Sequence, residues 1–486
     1  MDSSWKILIE KLESRREASQ ALGGEDRVAR LITARGKLDA RARLESLFDP
    51  ETFVEIGGLA GGLDTPADAL VCGSGTIDGR VVLAGAEDFS VQGGSIGAAS
   101  MAKRLRIADL AAQEKHPLVF LLDGAGHRLT EEGGGRVPND LLALADLSGR
   151  VPMVCLVLGA SAGHGALTAP LSDFSIMTPA SAIFTAGPPL VAAGTGEVVS
   201  KEELGGPQVA LETSGVIQNL AEDDDDAIRM ARQYLSYFPT DANGALPSRS
   251  GVETEPARLE KFLDKIPVND RRGYDIRGVI SLIADGDSFF EVQPDFGASL
   301  VTGLAFVGGT PLAVVANNPA IRAGAIDADA AIKGAHFIEH TGAFGLPFLF
   351  LADNPGLMAG TASERAGILR WGGRMFAAQR KLQSPKIHIT IRKAFGFGTT
   401  IMGQNPFDRQ TTCLALPTAT LGAMPAASGG RSAGLAEEAQ AEVEAREAAG
   451  PWSLVERFGY DDIIDPRELR NAVIDALRLG SNRLRR

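Results

Sequence analysis

The sequence is poor in cysteine and has no long apolar run. Its 486 residues include three cysteines, Cys72, Cys155 and Cys413, an odd and scattered set that excludes a disulfide framework and a CxxC zinc site. No stretch approaches the roughly 20 apolar residues that cross a membrane, and residues 1–20 are charged where a secretory signal peptide is apolar. We therefore expect a cytoplasmic protein with no membrane partner and no metal site in this chain.

Basic residues are outnumbered by acidic ones. The sequence has 48 lysines and arginines against 61 aspartates and glutamates, which gives a formal net charge of −13. Nucleic acid is therefore not an expected partner, because its phosphates require a basic surface. A small anionic ligand requires only a local basic pocket and is compatible with this charge.

Glycine, by contrast, is abundant. The 57 glycines make up roughly one residue in nine, against about 7% in average proteins. Backbone segments must therefore approach each other or a ligand closely at many places. The length also exceeds the size at which a single hydrophobic core keeps growing, so we expect at least two domains.

Four segments of the sequence recur in the same order at nearly constant spacing. An apolar run ending at Asp123 matches one ending at Asp353, 230 residues later, and Gly163 matches Gly396, 233 residues later. The other two pairs are an acidic turn before a strand and a hairpin with a glycine turn, at 46–58 with 281–294 and at 75–85 with 303–316. Such a series indicates an internal duplication.

Helical stretches at 98–115 and 327–345 separate the paired strands, so strands and helices alternate in each copy. This order predicts an α/β fold with a largely parallel sheet and right-handed crossovers. We predict two domains, 1–245 and 246–486. The segment 239–270, rich in Pro, Ser, Gly and charge, is the candidate linker.

One short motif suggests a serine hydrolase. The sequence around Ser161 reads Gly-Ala-Ser-Ala-Gly after a strand, which fits a nucleophile elbow. The duplication argues against it, because the position that matches Ser161 in the second copy is Ala394, whereas the glycines recur. A serine hydrolase stays as the less favoured alternative.

Two further motifs suggest metal binding. His336-Phe-Ile-Glu-His340 fits a zinc-hydrolase pattern, but the apolar spacing of this stretch favours a packed helix with polar histidines at its rim. The acidic run 222–226 directly precedes a helix, where negative side chains stabilise the helix dipole. We interpret neither motif as a metal site.

The duplicated Gly-x-Gly turns carry the functional prediction. Each follows a strand and precedes a helix, as Gly163-His164-Gly165 and as Gly396-Phe397-Gly398. Such a turn directs backbone N–H groups into one space, where the helix dipole favours negative charge. Oxyanion holes are built in this way. A single copy indicates only close packing of strand and helix, but the duplication favours two oxyanion holes.

Several longer stretches match one known family. They include EDFSVQGGSIG, ASAGHGALTAPLSDF, VANNPAIRAGAIDADAAIKGAHF, DNPGLMAGTASE and IRKAFGFG. Together the matches span roughly residues 25–475, and they resemble the carboxyltransferase (β) subunits of biotin-dependent acyl-CoA carboxylases, the propionyl-CoA and acetyl-CoA carboxylase group. The resemblance implies two tandem crotonase-like (ClpP/crotonase) domains, the N-terminal one on the acyl-CoA side and the C-terminal one on the biotin side.

The family's chemistry requires two sets of fixed donors. The resemblance implies that carboxybiotin releases CO2, that the freed biotin nitrogen takes the α-proton of the acyl-CoA, and that the enolate attacks the CO2. Thioester and ureido oxygens then both gain negative charge. By resemblance, Gly163 and His164 supply the hole for the thioester, and Phe397 and Gly398 supply the hole for biotin. The resemblance places CoA at Gly93, Gly94, Ser95, Gly124, Ala125 and Gly126, and the biotin and acyl pocket at Gly396 and Thr400.

The resemblance also implies partners. The family's site is shared between two subunits, which commonly assemble as a hexamer, a trimer of dimers. We find neither an ATP-grasp domain nor an Ala-Met-Lys-Met biotinylation site in the sequence. We therefore expect acyl-CoA as the substrate and biotin on a separate partner, the biotin carboxylase/biotin carrier (α) subunit.

The sequence departs from the family at several positions. Relatives usually have Gly-Gly-Ala in both holes, whereas His164 and Phe397 add bulky side chains here. Thr400 occupies the position linked to acyl-chain preference and is neither acidic nor aliphatic, which leaves the acyl group open. The region 424–440 matches the family poorly. A decarboxylase or transcarboxylase subunit would use the same holes, and a non-catalytic scaffold is a further alternative.

Overall fold

The computed structural model describes residues 3–128, 139–252 and 257–484. Residues up to Ser236, with Thr240–Ala242, form a first compact unit, and Tyr237–Pro239 with the residues from Asn243 onward form a second. Helices and strands alternate in both units, which confirms the predicted α/β class. The division into domains at 245/246 stays a prediction.

The first unit is built on one mixed sheet. Its strands are β1 (Val54–Glu55), β2 (Leu70–Ile77), β3 (Arg80–Glu87), β4 (Leu118–Leu122), β5 (Met153–Val157), β6 (Ala160–Ala162), β7 (Phe174–Met177), β8 (Ala182–Phe184) and β9 (Asn219–Leu220). The sheet order is β1-β2-β3-β4-β5-β7-β9, antiparallel from β1 to β3 and parallel from β3 onward. Strands β6 and β8 form a separate parallel pair.

Helices connect these strands. They are α1 (Ser3–Gln20), α2 (Glu25–Leu31), α3 (Ala40–Leu47), α4 (Ala98–Glu114), α5 (Asp140–Leu147), α6 (Gly163–Ala166), α7 (Thr168–Leu171), α8 (Pro188–Thr195), α9 (Lys201–Gly205) and α10 (Asp224–Leu235). The predicted crossover helix at 98–115 is thus confirmed as α4. The acidic run at 222–226 caps α10, since the Asp223 carboxylate accepts a hydrogen bond from the Asp226 N–H.

The second unit repeats the arrangement. Its strands are β10 (Phe290–Val292), β11 (Leu300–Val307), β12 (Thr310–Asn317), β13 (Phe348–Asn354), β14 (Lys386–Phe395), β15 (Thr412–Ala415), β16 (Thr420–Gly422) and β17 (Asp462–Ile463). The order is β10-β11-β12-β13-β14-β15-β17, and β16 pairs with the end of β14. Again the first three strands are antiparallel and the following ones parallel.

The helices of the second unit follow the same plan. They are α11 (Lys261–Lys265), α12 (Arg277–Ile283), α13 (Ala328–Ala343), α14 (Thr361–Arg365), α15 (Ile368–Lys381), α16 (Gly396–Ile401), α17 (Ala426–Ala433), α18 (Glu437–Ala448), α19 (Trp452–Val455) and α20 (Leu469–Leu479). The predicted crossover helix at 327–345 is confirmed as α13. No helix of the described ranges is long and apolar enough to cross a membrane.

The central strands are apolar at consecutive positions. All residues of β4, LVFLL, and of β5, MVCLV, are buried. Burial on both faces explains why these strands read as continuous apolar runs and not as alternating ones. The corresponding β13 and β14 are likewise buried throughout. These strands therefore form the rigid layer from which the following loops extend.

Each unit anchors its first hairpin with a carboxylate. The predicted turns are confirmed, since Ile77 pairs with Arg80 and Val307 with Thr310. In the second unit the Asp285 carboxylate accepts the N–H groups of Gly308 and Gly309 at 2.9 and 2.8 Å. In the first, Asp49 accepts the N–H of Gly79 at 2.9 Å.

An arginine from the last helix of each unit joins that anchor. Arg232 of α10 donates to the Asp49 carboxylate at 3.0 Å and to the Leu47 carbonyl at 2.7 Å. Arg470 of α20 donates to the Asp285 carboxylate at 2.7 Å and to the Ile283 carbonyl. The same tie between the last helix and the first hairpin thus occurs twice, which supports the duplication.

We expect Asp285→Ala to lower the free energy of unfolding by about 2–4 kcal/mol, because two backbone N–H groups and the Arg470 guanidinium lose their acceptor. Asp287→Ala is the matched control, since Asp287 is exposed and should change this free energy by less than about 0.5 kcal/mol. Urea denaturation measures both variants. Equal stability of the two would show that the carboxylate does not anchor the hairpin.

Candidate functional site

The first Gly-x-Gly turn opens a helix directly after a strand. Strand β6 ends at Ala162, and α6 begins at Gly163, whose φ of +59° lies in the region that favours glycine. The first N–H groups of a helix have no intrahelical acceptor. Here they belong to Gly163, His164 and Gly165, the residues that begin α6.

The second turn has the same local structure. Strand β14 ends at Phe395 and α16 begins at Gly396, with φ of +56°. The free N–H groups of its first turn belong to Gly396, Phe397 and Gly398. The strand–turn–helix arrangement predicted for both copies is therefore present, while the catalytic roles of these residues stay predictions.

Two loops adjoin α6. The first contains Gly93, Gly94 and Ser95, and the second contains Gly124, Ala125 and Gly126, the six positions predicted to bind CoA. The Ala125 N–H donates to the Gly93 carbonyl at 3.1 Å, and the Gly124 carbonyl accepts the Ala162 N–H at 3.2 Å. The fold thus brings all six positions and the first Gly-x-Gly turn together.

A cavity of about 650 Å³ opens against α6. This volume falls in the range of small-molecule sites. Its walls come from four segments of the first unit: Phe89; Ala125, Gly126 and His127; Ala160, Ala162, Gly163 and His164; and Phe184, Thr185, Ala186, Gly187, Pro189 and Leu190. The cavity is therefore mostly apolar, with two imidazoles and the Thr185 hydroxyl as its polar side-chain groups.

The imidazole of His164 is hydrogen-bonded to a buried carboxylate. Its Nε2 hydrogen-bonds the carboxylate of Asp140, the first residue of α5. Arg104 of α4 donates to the other Asp140 oxygen at 2.6 Å and to Glu87 at 3.1 Å. The ring of His127 meets that of His164 edge to face, with centroids 4.7 Å apart.

Sequence reasoning missed this cluster. Asp140, Arg104 and Glu87 are far apart in the sequence, and none of them belongs to a recognisable motif. A buried arginine with two buried acids becomes visible only when α4, α5 and the end of β3 pack together. The Gly-x-Gly pattern points to the backbone N–H of His164 and gives no signal for the partner of its side chain.

The pKa values of Glu87 and Asp140 are shifted in opposite directions. Burial raises the pKa of Glu87 to about 7, although the Arg104 guanidinium and the Asp123 N–H oppose the shift. Burial also acts to raise the pKa of Asp140, but the hydrogen bonds from His164 and Arg104 outweigh it and bring the value to about 2. Asp140 is therefore ionised at neutral pH, whereas Glu87 is close to its midpoint.

In the second unit a buried aspartate holds the strand that leads to α16. Asp353, at the end of β13, accepts hydrogen bonds from Arg392 Nε at 2.7 Å and from the Lys393 backbone at 3.2 Å. The Lys393 ammonium lies 3.1 Å away, and the Tyr274 hydroxyl donates at 3.0 Å. Arg392 is completely buried, so its ion pair with Asp353 holds the carboxyl-terminal end of β14 in place.

The surroundings of α16 differ from those of α6. Gly398 lies so close to the Asn354 side chain that a methyl group there would lie 2.2 Å from the amide oxygen. Phe397 is 44% exposed and packs edge to face with Phe376, with centroids 5.4 Å apart. Thr400 is exposed on the same helix. The structure thus groups Gly396, Phe397, Gly398 and Thr400 on one short helix.

The poorly matching region 424–440 adjoins this helix. It contains α17 and the start of α18, and together with β16 these helices enclose a cavity of about 420 Å³. Ala423 lies in the cavity wall, and a methyl group on Gly396 would lie 3.0 Å from its carbonyl oxygen. This region therefore shapes one side of the second turn.

Among the described residues, the serine motif at Ser161 has no hydrogen-bonded base, and the histidine motif on α13 belongs to no group of metal-binding side chains. Ser161 is buried, and its hydroxyl hydrogen-bonds no group of the described chain, so it lacks the base that a nucleophilic serine requires. His336 and His340 lie side by side on α13 with ring centroids 4.1 Å apart, and burial lowers the pKa of His336 to about 3. No group of metal-binding side chains occurs within residues 3–128, 139–252 and 257–484.

The sequence profile of the carboxyl transferase domain matches residues 32–486. The methylmalonyl-CoA carboxyltransferase 12S subunit of Propionibacterium freudenreichii subsp. shermanii is 33% identical over 497 residues, which cover 97% of this chain and 94% of the relative. The biotin-dependent acetyl-/propionyl-coenzyme A carboxylase beta5 subunit of Mycobacterium tuberculosis (strain CDC 1551 / Oshkosh) is 33% identical over 513 residues, covering 97% and 92%.

A solved structure is similar over the same extent. The transcarboxylase 12S crystal structure with methylmalonyl-coenzyme A and methylmalonic acid bound matches with a TM-score of 0.92 at 32% identity, covering 98% of this chain and 96% of that one. This similarity confirms the predicted crotonase-like fold. That structure shows a hexamer assembly and substrate binding to a multienzyme core.

We expect Glu87→Gln to remove a pH-dependent loss of stability. Because the folded protein raises the pKa of Glu87 from 4.5 to about 7, the contribution of its neutral form is present below pH 4.5 and is lost as the pH rises through 7. At about 1.4 kcal/mol per pH unit, the variant should gain about 3 kcal/mol on the wild type between pH 4.5 and pH 8.

Urea unfolding at several pH values measures this difference. The exposed Glu45→Gln is the matched control, and its difference from the wild type should not vary with pH. A Glu87→Gln difference that is equally constant would mean that Glu87 is ionised without cost in the folded protein.

Proposed function

Because this chain belongs to the carboxyl transferase family, we propose that it moves a carboxyl group from carboxybiotin to the α carbon of an acyl-CoA. The match of the family profile over residues 32–486 is the observation that carries this proposal. The two relatives named above, a carboxyltransferase subunit and a biotin-dependent carboxylase subunit, support the same reaction class.

The first unit provides the acyl-CoA side of the proposed reaction. The cavity against α6 has the volume for an acyl thioester, and Phe89, Phe184 and Leu190 give it apolar walls for the acyl group. The N–H groups of Gly163 and His164 would donate to the thioester oxygen as it gains negative charge. The loops at 93–95 and 124–126 adjoin this point and are proposed to hold the CoA moiety.

The second unit provides the biotin side. The residues at α16 fit a neutral bicyclic ring, because the N–H groups of Phe397 and Gly398 are free to donate to a ureido oxygen and Phe376 and Phe397 form an apolar wall. When bound, carboxybiotin supplies the carboxyl group that is transferred. Asp353 and its cations would keep the turn before α16 in place.

The direction of the reaction is not specified by the site. Two backbone holes stabilise the same charges whether the acyl-CoA gains or loses a carboxyl group, so a decarboxylase or transcarboxylase subunit stays as the alternative. A serine hydrolase has less support, because the Ser161 hydroxyl has no hydrogen-bonded base among the described residues.

The proposed partners follow from the reaction. Biotin would be carried by a biotin carboxylase/biotin carrier (α) subunit, and we propose a homo-oligomer, a hexamer built as a trimer of dimers, in line with the hexamer described for transcarboxylase 12S. A cytoplasmic location belongs to the same proposal.

Incubation of the purified chain with malonyl-CoA or methylmalonyl-CoA and free biotin tests the function. CO2 release that depends on biotin supports the carboxyltransferase. Thioester hydrolysis without biotin would instead support the hydrolase, and inertness toward both substrates would support a scaffold.

We expect Phe397→Pro to lower biotin-dependent decarboxylation by about a hundredfold or more. The first turn of a helix accepts proline, but proline has no N–H, so the variant deletes one donor of the second hole. Phe397→Gly is the control, because it removes the ring and keeps the N–H, and it should retain measurable turnover.

Circular dichroism and oligomer size must match the wild type in both Phe397 variants. Equal loss in the glycine and proline variants would contradict the backbone-donor account and assign the effect to the aromatic ring.

We expect Ser161→Ala to retain biotin-dependent activity within about tenfold, a change in barrier below about 1.4 kcal/mol. The buried hydroxyl has no partner in the described chain, so its removal leaves no base or acceptor unpaired. A thousandfold loss in a folded variant would reinstate Ser161 as a nucleophile.

A further inference from the structure

The side chain of His164 has no counterpart in the second unit. His164 and Phe397 occupy the same helix position, yet only the first presents a proton-carrying group to its surroundings. His164 lines the cavity proposed for the acyl-CoA, together with Gly163 of the same first turn. The imidazole therefore lies where the acyl thioester would bind.

Asp140 determines which ring nitrogen of His164 carries the hydrogen. The carboxylate is fully buried, and its second oxygen is occupied by Arg104 Nε at 2.6 Å, so it cannot turn away from the imidazole. Since Asp140 is ionised, it can only accept, and His164 Nε2 must carry the hydrogen. In the neutral ring, Nδ1 then holds the lone pair.

The Nδ1 atom is free to act on a ligand. No residue of the described chain hydrogen-bonds it. The neighbouring His127 is kept neutral more readily than an ordinary histidine, because burial and the proximity of His164 lower its pKa. The other charged groups of the cluster, Glu87 and Arg104, do not line the cavity, although the Glu87 carboxylate lies beside Gly165 of the same helix turn.

This arrangement matches the histidine of a catalytic dyad. In such dyads a carboxylate sets the tautomer of an imidazole and stabilises the cation that forms when its other nitrogen takes a proton. The cluster here contains the carboxylate, the imidazole and an adjoining cavity with backbone donors. It has no activated nucleophile, because the Ser161 hydroxyl is not bonded to His164.

We propose that His164 is a side-chain base that removes the α-proton of the bound acyl-CoA, positioned by Asp140. The proposal rests on the proposed function. The Cα–H bond breaks, its proton forms a bond with Nδ1, and its electron pair becomes an enolate whose oxygen the N–H groups of α6 stabilise. In the reverse direction the imidazolium returns the proton to Cα.

Proton removal by His164 would not require biotin, and this separates it from a base carried on the cofactor. The test uses acetyl-CoA and propionyl-CoA with deuterium at Cα, incubated with the wild-type chain in ordinary water without biotin. Mass spectrometry follows the loss of deuterium. We expect the wild type to exchange the α position well above the rate in buffer.

His164→Gln separates a base from a structural residue. Glutamine fills similar space and still donates to Asp140, but it cannot take a proton, so exchange should fall by about a hundredfold or more. His340→Gln, the same change on α13 in the second unit, should exchange at the wild-type rate. Circular dichroism and oligomer size must be unchanged in both variants.

Two results would overturn the proposal: wild-type exchange that requires biotin, or a His164→Gln variant that exchanges as fast as the wild type. Biotin-dependent decarboxylation of malonyl-CoA or methylmalonyl-CoA is measured in parallel. If biotin-dependent decarboxylation occurs but the α position does not exchange in the absence of biotin, His164 is not the base, and the proposed function is still supported. Absence of both activities contradicts the proposed function and the base together.

Discussion

In each unit a buried aspartate at the carboxyl end of the central strand is paired with two cations. Asp123 is paired with Lys37 and Arg43, and Asp353 is paired with Arg392 and Lys393. A buried carboxylate without its cations would cost several kcal/mol, so the segments that supply the cations cannot move away independently. The loops that follow these strands are therefore held in one arrangement before any ligand binds.

This shared framework supports two different sets of side chains. Glu87 and Asn317 occupy matched positions: Glu87 accepts the Asp123 N–H at 2.9 Å, and Asn317 accepts the Asp353 N–H at 3.2 Å. Glu87 extends the first site into an ionic cluster that reaches His164, whereas Asn317 joins a neutral amide network. Both units have the same Gly-x-Gly turn, but the side chains beside it are ionic in the first unit and neutral amides in the second.

The duplication explains how much the sequence could predict. Hairpins at 75–85 and 303–316, the crossover helices and both Gly-x-Gly turns depend on local spacing, and they were predicted in the correct places. The Asp140–His164 pair was not, because it depends on how α5 packs against α4 and α7. The matched glycines indicate backbone donors, and they carry no signal for the hydrogen-bond partner of the histidine side chain. Only the folded chain shows that the Ser161 hydroxyl has no hydrogen-bonded base among the described residues.

The central claim is that the two helix starts receive different ligands through their backbone N–H groups. A crystal structure of the chain with an acyl-CoA and biotin bound tests this most directly. The account predicts the thioester oxygen within about 3.1 Å of the Gly163 or His164 nitrogen, and the ureido oxygen at a similar distance from Phe397 or Gly398. An acyl thioester bound away from the α6 cavity, or biotin bound away from α16, would contradict it.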